Sequence, residues 1–563
     1  MGTLLNLFLI ALASCVLFSG GFFLYGRLLA KYFELSPEQK TPAHVLNDGM
    51  DYVPAKAPLL LGQHFSAIAA AGPIVGPILA GLWFGWLPAL LWIVFGAIFL
   101  GAVHDFSSLV GSVRHKARSI VEIVRDHLVP RAHVLFMGFV WLSLIYVIIA
   151  FTDLTSASFV EPTYGGAVAS SSFLYLIAAV LMGVSLYKFR MPLRVATFLF
   201  VPLVGFIIWF GQYLPVNLPA IGSVRPQLLW NGVILTYCLI ASVIPMWILL
   251  QPRGYLGGFF LYLALLAGVV GLFLGGDPIR YPAFLGFRSA QGFPLFPMLF
   301  VTVACGACSG FHGIVSSGTT SKQIDREPDC HLVGYGGMLL EGLVAVIALS
   351  TVMVLAKGDP ATLQSPDRIY ANGLSHFVER FGVNGHFARS FALLAFATFI
   401  YDTLDVATRL GRYIFQELTG WKGKGGRIGA TVCTLALPAL CVSLSVKDAA
   451  GNVIPAWKIF WTIFGTSNQL LAALTLLTLT VWLKRSGKPW WMSALPALFM
   501  LTMTLWALGL LVQPWIFGLM RGHWVMNGIA LIAVVLLVLA ALLLGEALRA
   551  LTRPSSQSSS ILK

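Results

Sequence analysis

Titratable side chains interrupt apolar stretches of this chain, where a charged group is costly and is therefore a candidate for function. A histidine can exchange a proton near neutral pH, and an aspartate can hold a proton or a cation with the help of neutral threonine oxygens. The residues predicted to couple ions are His64, Asp105, Asp405, Thr403 and Thr408. For the histidines, the alternative is a neutral imidazole that is hydrogen-bonded at a helix contact.

The two aspartates also have structural alternatives. Asp105 falls near one end of an apolar segment, so it could pair with Arg114 or cap a half-helix. Asp405 precedes Arg409 by four residues, which places both on one face of a helix. A salt bridge within that helix is therefore as compatible with the spacing as a proton or cation site is.

Two apolar segments contain clusters of residues that interrupt a helix, at 71–77 and at 305–320. Proline removes a backbone donor, and unwound backbone at membrane depth is tolerated only inside protein or against water. The donor end of a half-helix carries partial positive charge and suits a carboxylate. The predicted substrate-binding residues are Gly72, Pro73, Ile74, Val75, Gly76, Ser309, Gly310, His312, Gly313, Ser316 and Ser317. The alternative is that the glycines only allow close helix packing.

Neither a metal nor another cofactor is predicted. Cys305, Cys308 and His312 would share one face of an unbroken helix, but the sequence supplies no fourth ligand and the helix is expected to break there. Asn468 and Gln469 are expected to form hydrogen bonds between helices.

The elements that position these residues are membrane helices. Of the 563 residues, 58% are hydrophobic and 10% are charged, whereas soluble domains average about 25% charged residues. The net charge of +14 lies mostly in short loops, where it signals orientation and does not indicate a nucleic-acid partner. No zinc-protease, hydrolase or phosphate-loop motif occurs, so the chain is not predicted to be an enzyme.

The apolar runs predict an all-α polytopic membrane protein with about 15 transmembrane helices. The predicted spans are 3–30, 62–84, 86–112, 133–153, 172–187, 193–213, 227–250, 254–275, 294–320, 333–356, 388–417, 428–446, 457–483, 490–514 and 524–549. Lysine and arginine alternate between loops in a way that puts the N-terminus outside and the C-terminus inside.

The two interrupted spans enter the membrane from opposite sides, and each is followed by four more spans. Interrupted segments in matching places of two halves are typical of the binding site of a secondary transporter. The sequence therefore predicts a five-plus-five inverted-repeat core with two broken helices. The predicted units are an extra span and cytoplasmic loop at 1–60, a first repeat at 61–215, two inserted spans at 216–290, a second repeat at 291–485, two extra spans at 486–550 and a disordered tail at 551–563.

Eight stretches, in order, resemble the carbon starvation protein A family of nutrient transporters. They lie at 71–77, 85–106, 245–256, 305–312, 315–320, 334–341, 403–409 and 464–470. The resemblance implies an inner-membrane importer used in carbon starvation, linked to peptide uptake and to proton-driven pyruvate uptake. It also implies the five-plus-five fold of the amino acid–polyamine–cation transporters. Many family members carry Asp, Gln and an aliphatic residue where this chain has Gly254, His104 and Cys308.

The functional prediction is a proton-coupled symporter that works by alternating access in the cell inner membrane and imports a small carboxylate-bearing substrate, pyruvate or peptides. The expected partners are that substrate, protons and the lipid bilayer, with no nucleic acid. A sodium-coupled peptide transporter and a channel remain alternatives. The sequence leaves the substrate and the oligomeric state open.

Overall fold

A computed structural model describes residues 6–49, 51–127, 130–444, 446–447, 453–521 and 528–552, and the predicted tail lies almost wholly outside them. These residues are nearly all helical. The first half contains α1 (Leu7–Gly20), α2 (Arg27–Tyr32), α3 (Pro42–Val45), α4 (Ala57–Ile68), α5 (Gly72–Phe84), α6 (Trp86–Gly96), α7 (Ala102–Arg114), α8 (Ile120–His127), α9 (Pro130–Phe159), α10 (Gly165–Tyr187), α11 (Leu193–Gly211), α12 (Pro226–Val243) and α13 (Leu250–Gly275).

The second half contains α14 (Leu295–Thr302), α15 (Gly310–Val315), α16 (Gly337–Met353), α17 (Pro366–Glu379), α18 (Gly385–Thr419), α19 (Gly423–Ser443), α20 (Ala456–Arg485), α21 (Trp491–Met520) and α22 (Gly528–Thr552). A short antiparallel pair, β1 (Val446–Lys447) and β2 (Val453–Ile454), joins α19 to α20. A 3₁₀ turn at Pro360–Leu363 and π-helical segments at Gly21–Gly26, Ala97–Gly101, Ser316–Thr320 and His331–Gly336 complete the described elements.

The predicted count of about 15 spans is slightly too high for continuous helices. Within the described residues, 13 helices are long and apolar enough to cross a membrane, and the bent pair α4–α5 brings the total to 14. The remaining predicted span, 294–320, consists of α14, an irregular stretch, the short α15 and a π-helical segment, so it is not a continuous span. The chain is a multi-pass membrane protein with the two predicted broken helices.

The first break occurs where α4 ends at Ile68 and α5 begins at Gly72, with a bend of 46° between the two helices. Proline at the second position of α5 lacks a backbone N–H and so fits the first turn of a new helix. The second break spans the residues between Thr302 and Gly310. Both broken helices therefore unwind where the glycine and proline clusters predicted it.

The long helices α9 and α18 pack along each other. Around them, α4 packs along α13, α15 packs against α20, and α5 packs along α16. Each broken helix thus packs against a later helix, α4 against α13 and α15 against α20, as expected of an inverted repeat.

Candidate functional site

The two breaks contact each other directly. A Cβ atom added at Gly72 would lie 2.3 Å from Cys305 Sγ, and one added at Gly76 would lie 2.5 Å from the carbonyl oxygen of Thr302. Gly306 lies against Pro73. The glycines at the first break therefore allow the close packing that was the structural alternative, and Ile74 and Val75 beside them are fully buried.

At the second break, Asn468 of α20 holds the unwound backbone. Its Oδ1 accepts a hydrogen bond from the Phe311 backbone N–H at 2.8 Å, and its side-chain nitrogen donates to Ser309 Oγ at 3.0 Å. Gln469 donates to the carbonyl of Phe300. The expectation that these two amides bond between helices is confirmed.

Further along, Gly310 packs against the backbone of α20, and Gly313 packs against the His104 ring. Ser317 donates to the carbonyl oxygen of Gly313 at 2.6 Å, and Ser316 is fully buried. The predicted substrate-binding residues of this segment thus line closely packed interfaces between helices.

His312 brings the predicted site residues of both halves together. Its Nδ1 lies 2.8 Å from Asp105 Oδ2, and its Nε2 lies 3.0 Å from Glu341 Oε2. Asp105 Oδ1 lies 2.8 Å from His104 Nδ1. All four side chains are fully buried, and we refer to them as the imidazole cluster.

The four members of the cluster come from three helices. Asp105 and His104 lie on α7, His312 on α15 and Glu341 on α16. The alternative in which Asp105 pairs with Arg114 is wrong, because Arg114 bonds Glu327 at 2.8 Å. Helical spacing does not connect Glu341 to His312, since the two residues are 29 positions apart and lie in different helices.

The two carboxyl groups contact His312 differently. Its Nδ1 is hydrogen-bonded to Asp105 at 2.8 Å, whereas its Nε2 lies 3.0 Å from Glu341 Oε2 in an ion-pair contact without hydrogen-bond geometry. The ring therefore lies between two carboxyl groups that belong to different helices.

His64 lies apart from this cluster. Its Nδ1 lies 2.9 Å from Thr320 Oγ1, at the end of the second broken segment, and Gly337 packs against its ring. No hydrogen-bond partner of Nε2 occurs within the described part of the chain. His64 therefore connects α4 to the other broken helix without joining the imidazole cluster.

A second buried charge cluster surrounds Asp405, and we refer to it as the arginine cluster. Arg253 donates from Nε to Asp402 Oδ1 at 2.6 Å, and its Nη1 contacts both Asp405 and Tyr237. Tyr237 Oη donates to Asp405 Oδ2 at 2.7 Å. Ser66, beside the first break, donates to the other oxygen of Asp402.

This arrangement corrects two expectations. The salt bridge from Asp405 to Arg409 is wrong, because Arg409 donates to the carbonyls of Ala241 and Ile244 at 2.8 and 2.7 Å. Arg253 falls between the predicted spans 227–250 and 254–275, where a positive charge would mark the inside, but it is buried within α13. Arg253 lies in the stretch 245–256, which carries part of the family resemblance.

Among the described residues, neither predicted threonine ligand forms a hydrogen bond with Asp405. Thr403 donates to the carbonyl of Ala67, at the end of α4, at 2.9 Å, and to Phe399 at 3.2 Å. Thr408 is fully buried one helical turn beyond Asp405. Thr403 thus ties α18 to the first break, and it satisfies a carbonyl that the break leaves without a helical partner.

Comparison with known proteins decides the family. The family model described as "Carbon starvation protein CstA" matches residues 6–372 and 361–507. The chain belongs to the CstA family. This membership identifies it as a membrane transport protein.

Several relatives align with most of the chain. "Peptide transporter CstA" of Helicobacter pylori is 32% identical over 91% of this chain and 83% of its own length. The protein of the same name in Bacillus subtilis is 31% identical over 84% of each chain. "Pyruvate/proton symporter BtsT" of Escherichia coli is 30% identical over 85% of this chain and 78% of its own length.

Proposed function

We propose that the chain is a proton-coupled importer of small carboxylate-bearing nutrients, pyruvate or short peptides, in the inner membrane. Two kinds of relative support this substrate class, since one is named for peptides and another for pyruvate and protons. The carboxylate is the group that both substrates share. The proposed cradle is formed by residues 72–76 and 309–313, which must separate before a substrate can enter between them.

The observation that carries the proposal is the contact of His312 with two carboxyl groups. The imidazole belongs to the second broken helix, whereas Asp105 and Glu341 belong to neighbouring helices. A proton that arrives at or leaves this contact changes the charge that holds the broken helix in place. Protonation can therefore bias the closed arrangement of the breaks against an open one.

The experiment is uptake of labelled pyruvate into proteoliposomes, with and without an imposed inward proton gradient and in competition with di- and tripeptides. We expect gradient-driven accumulation by the unchanged chain. Asp105→Asn and Glu341→Gln should lose accumulation but retain counterflow exchange, because they remove the coupling proton and leave the cradle residues unchanged. His312→Gln changes a residue of the cradle as well, and it should also lose accumulation. A matched control is His376→Gln, a half-exposed histidine in α17.

The outcomes separate the components of the proposal. Uphill uptake at the unchanged level in all three variants would contradict the assignment of the proton site. Accumulation that peptides block would make peptides the substrate, whereas accumulation that peptides leave intact would make it pyruvate. Absence of any gradient-driven uptake of pyruvate or of labelled peptides would contradict the proposed function.

A sodium-coupled transporter is the second candidate, and one observation favours it. Asp405 Oδ1 is buried and has no hydrogen-bond partner among the described residues, so it could bind a cation. The other oxygen of the same carboxylate contacts the Arg253 guanidinium, and that positive charge opposes a second cation nearby. Accumulation driven by a sodium gradient at constant pH would favour this candidate.

A further inference from the structure

A cavity of about 280 Å³ lies where α12 ends, α18 nears its end and α19 begins. The cationic side chains Arg409, Arg412, Lys422 and Arg427 line it, together with a single carboxylate, Asp51. No residue of the breaks or of the two buried charge clusters lines this cavity. We refer to it as the basic cavity.

The positive charge of the basic cavity is mostly uncompensated. Arg409 Nη1 lies 3.9 Å from Asp51 Oδ1, which also accepts a hydrogen bond from Tyr413 at 2.9 Å. Among the described residues, no carboxylate lies within 4.0 Å of the charged groups of Arg412, Lys422 or Arg427. Arg409 and Arg412 are buried, and a buried charge without a full counterion is costly, so an anion bound here would be stabilised.

Arg412 is the most informative of these side chains. It is only 2% exposed, and its Nε has no hydrogen-bond partner within the described part of the chain. Its guanidinium lies 4.5 Å from the centroid of the Tyr413 ring, a contact that supplies no acceptor for the Nε–H. A buried guanidinium with an unpaired N–H can donate to the oxygens of a carboxylate or a phosphate.

The backbone at the basic cavity also favours an anion. The 21-residue helix α19 begins at the cavity with the glycine-rich, basic sequence Lys422-Gly423-Lys424-Gly425-Gly426-Arg427. Its first turn has neither an acidic residue nor a side-chain hydrogen bond at the cap. The N-terminus of a helix presents backbone N–H groups and partial positive charge, which attract an oxyanion.

We propose that the basic cavity binds an oxyanion, the carboxylate or phosphate group of a small anion or of a lipid headgroup. The distribution of lysine and arginine predicts that this face is cytoplasmic. Arg409 also holds the carbonyls that end α12, so a bound anion would connect α12, α18 and α19. Occupancy should therefore stabilise the packing of these three helices, whatever the chain transports.

The test uses the full-length chain in nanodiscs of phosphatidylcholine, with inorganic phosphate as the probe. Thermal unfolding is followed as phosphate rises, with chloride added to keep the ionic strength constant. We expect a saturable increase in the unfolding temperature. Arg412→Gln and the half-exposed Arg427→Gln should raise the phosphate concentration for half-saturation at least about tenfold, because each removes a charge-assisted hydrogen-bond donor.

Lys424→Gln is the matched control, since Lys424 is an exposed cation of the same segment that does not line the cavity. It should leave the phosphate response unchanged. Nanodiscs that contain phosphatidylglycerol distinguish the sources. If a lipid headgroup occupies the cavity, this lipid should stabilise the unchanged chain, remove the response to phosphate, and stabilise Arg412→Gln less.

The proposal would be overturned if neither phosphate nor phosphatidylglycerol stabilised the unchanged chain. It would also be overturned if Lys424→Gln weakened the response as much as Arg412→Gln and Arg427→Gln did, because the effect would then be general surface charge. The readout needs no transport activity, so its result is independent of the proposed function.

Discussion

At the scale of residues, Arg253 shows how a membrane interior holds charge. It binds Asp402 and Asp405 from a different helix, and cation–π contacts with Tyr237 and Tyr401 add to these bonds. One guanidinium thus compensates two carboxylates, and its removal would leave both without a cation. This coupling makes the arginine cluster a sensitive point for stability.

Arg253→Gln is predicted to lower the free energy of unfolding by about 3–5 kcal/mol, because it leaves buried carboxylates unpaired. The triple variant that adds Asp402→Asn and Asp405→Asn should recover part of this loss, since no net charge then remains. Denaturant titration in detergent micelles measures both effects. Arg380→Gln breaks the partly exposed pair with Asp277 and should cost only about 0–1 kcal/mol. Equal losses in the two single variants would contradict the prediction.

The residue scale also shows where prediction from the sequence ends. The residue types at His312, Asp105 and Asp405 were sufficient to mark them as candidates, because titratable groups are rare in apolar segments. Their partners were not predictable, since Asp105 and His312 are 207 residues apart and Arg253 and Asp405 are 152 apart. Helical spacing reports only neighbours three or four residues away, and it suggested the incorrect partner Arg409.

At the scale of elements, the breaks could be predicted because proline and glycine act on the local backbone. The π-helical segments could not, although three of them adjoin the imidazole cluster. Ala97–Gly101 precedes His104, Ser316–Thr320 follows His312, and His331–Gly336 precedes Glu341. Such segments insert an extra residue into a helix and occur often at functional sites. They arise from tertiary packing, which a single sequence does not show.

Close contact between the two breaks gives a prediction at this scale. Gly72→Ala should lower the free energy of unfolding by about 1–3 kcal/mol, because its Cβ would overlap Cys305. Adding Cys305→Gly should restore part of this loss by removing the overlapping atoms. Gly138→Ala, within α9 and with open space around its Cβ position, is the control and should be neutral or slightly stabilising. A loss that Cys305→Gly does not relieve would mean that the two breaks are not in contact.

The packing of the elements also favours a different division of the first repeat. The helix α12 packs along α9 and α18, as α19 does, and α13 packs along α4 as α20 packs against α15. We therefore expect α4–α7, α9, α12 and α13 to form the first repeat, with α10 and α11 as an inserted hairpin. In an experimental structure, these helices should superpose on α14–α20 after a half-turn about an axis in the membrane plane. Better superposition with α10 and α11 would favour the division at 61–215.

At the scale of the whole molecule, orientation connects the other proposals. An inward proton gradient runs from the face of α17 to the face of the basic cavity only if the first face is outside and the second is inside. The distribution of lysine and arginine predicts this orientation, with Lys422, Lys424 and Arg427 between two spans on the inside. The loop that contains Leu363, between α16 and α17, should lie on the outside.

Cysteine labelling in intact cells measures this orientation directly. The half-buried residues Cys15, Cys433 and Cys441 are first replaced by serine, because they are the described cysteines with some exposure. Leu363 is 89% exposed, so Leu363→Cys should react with a maleimide that does not cross membranes. Lys424→Cys should react only after the cells are permeabilised. The reverse pattern would place the basic cavity outside, and a cytoplasmic anion could then no longer be its ligand, whereas the buried clusters would remain as described.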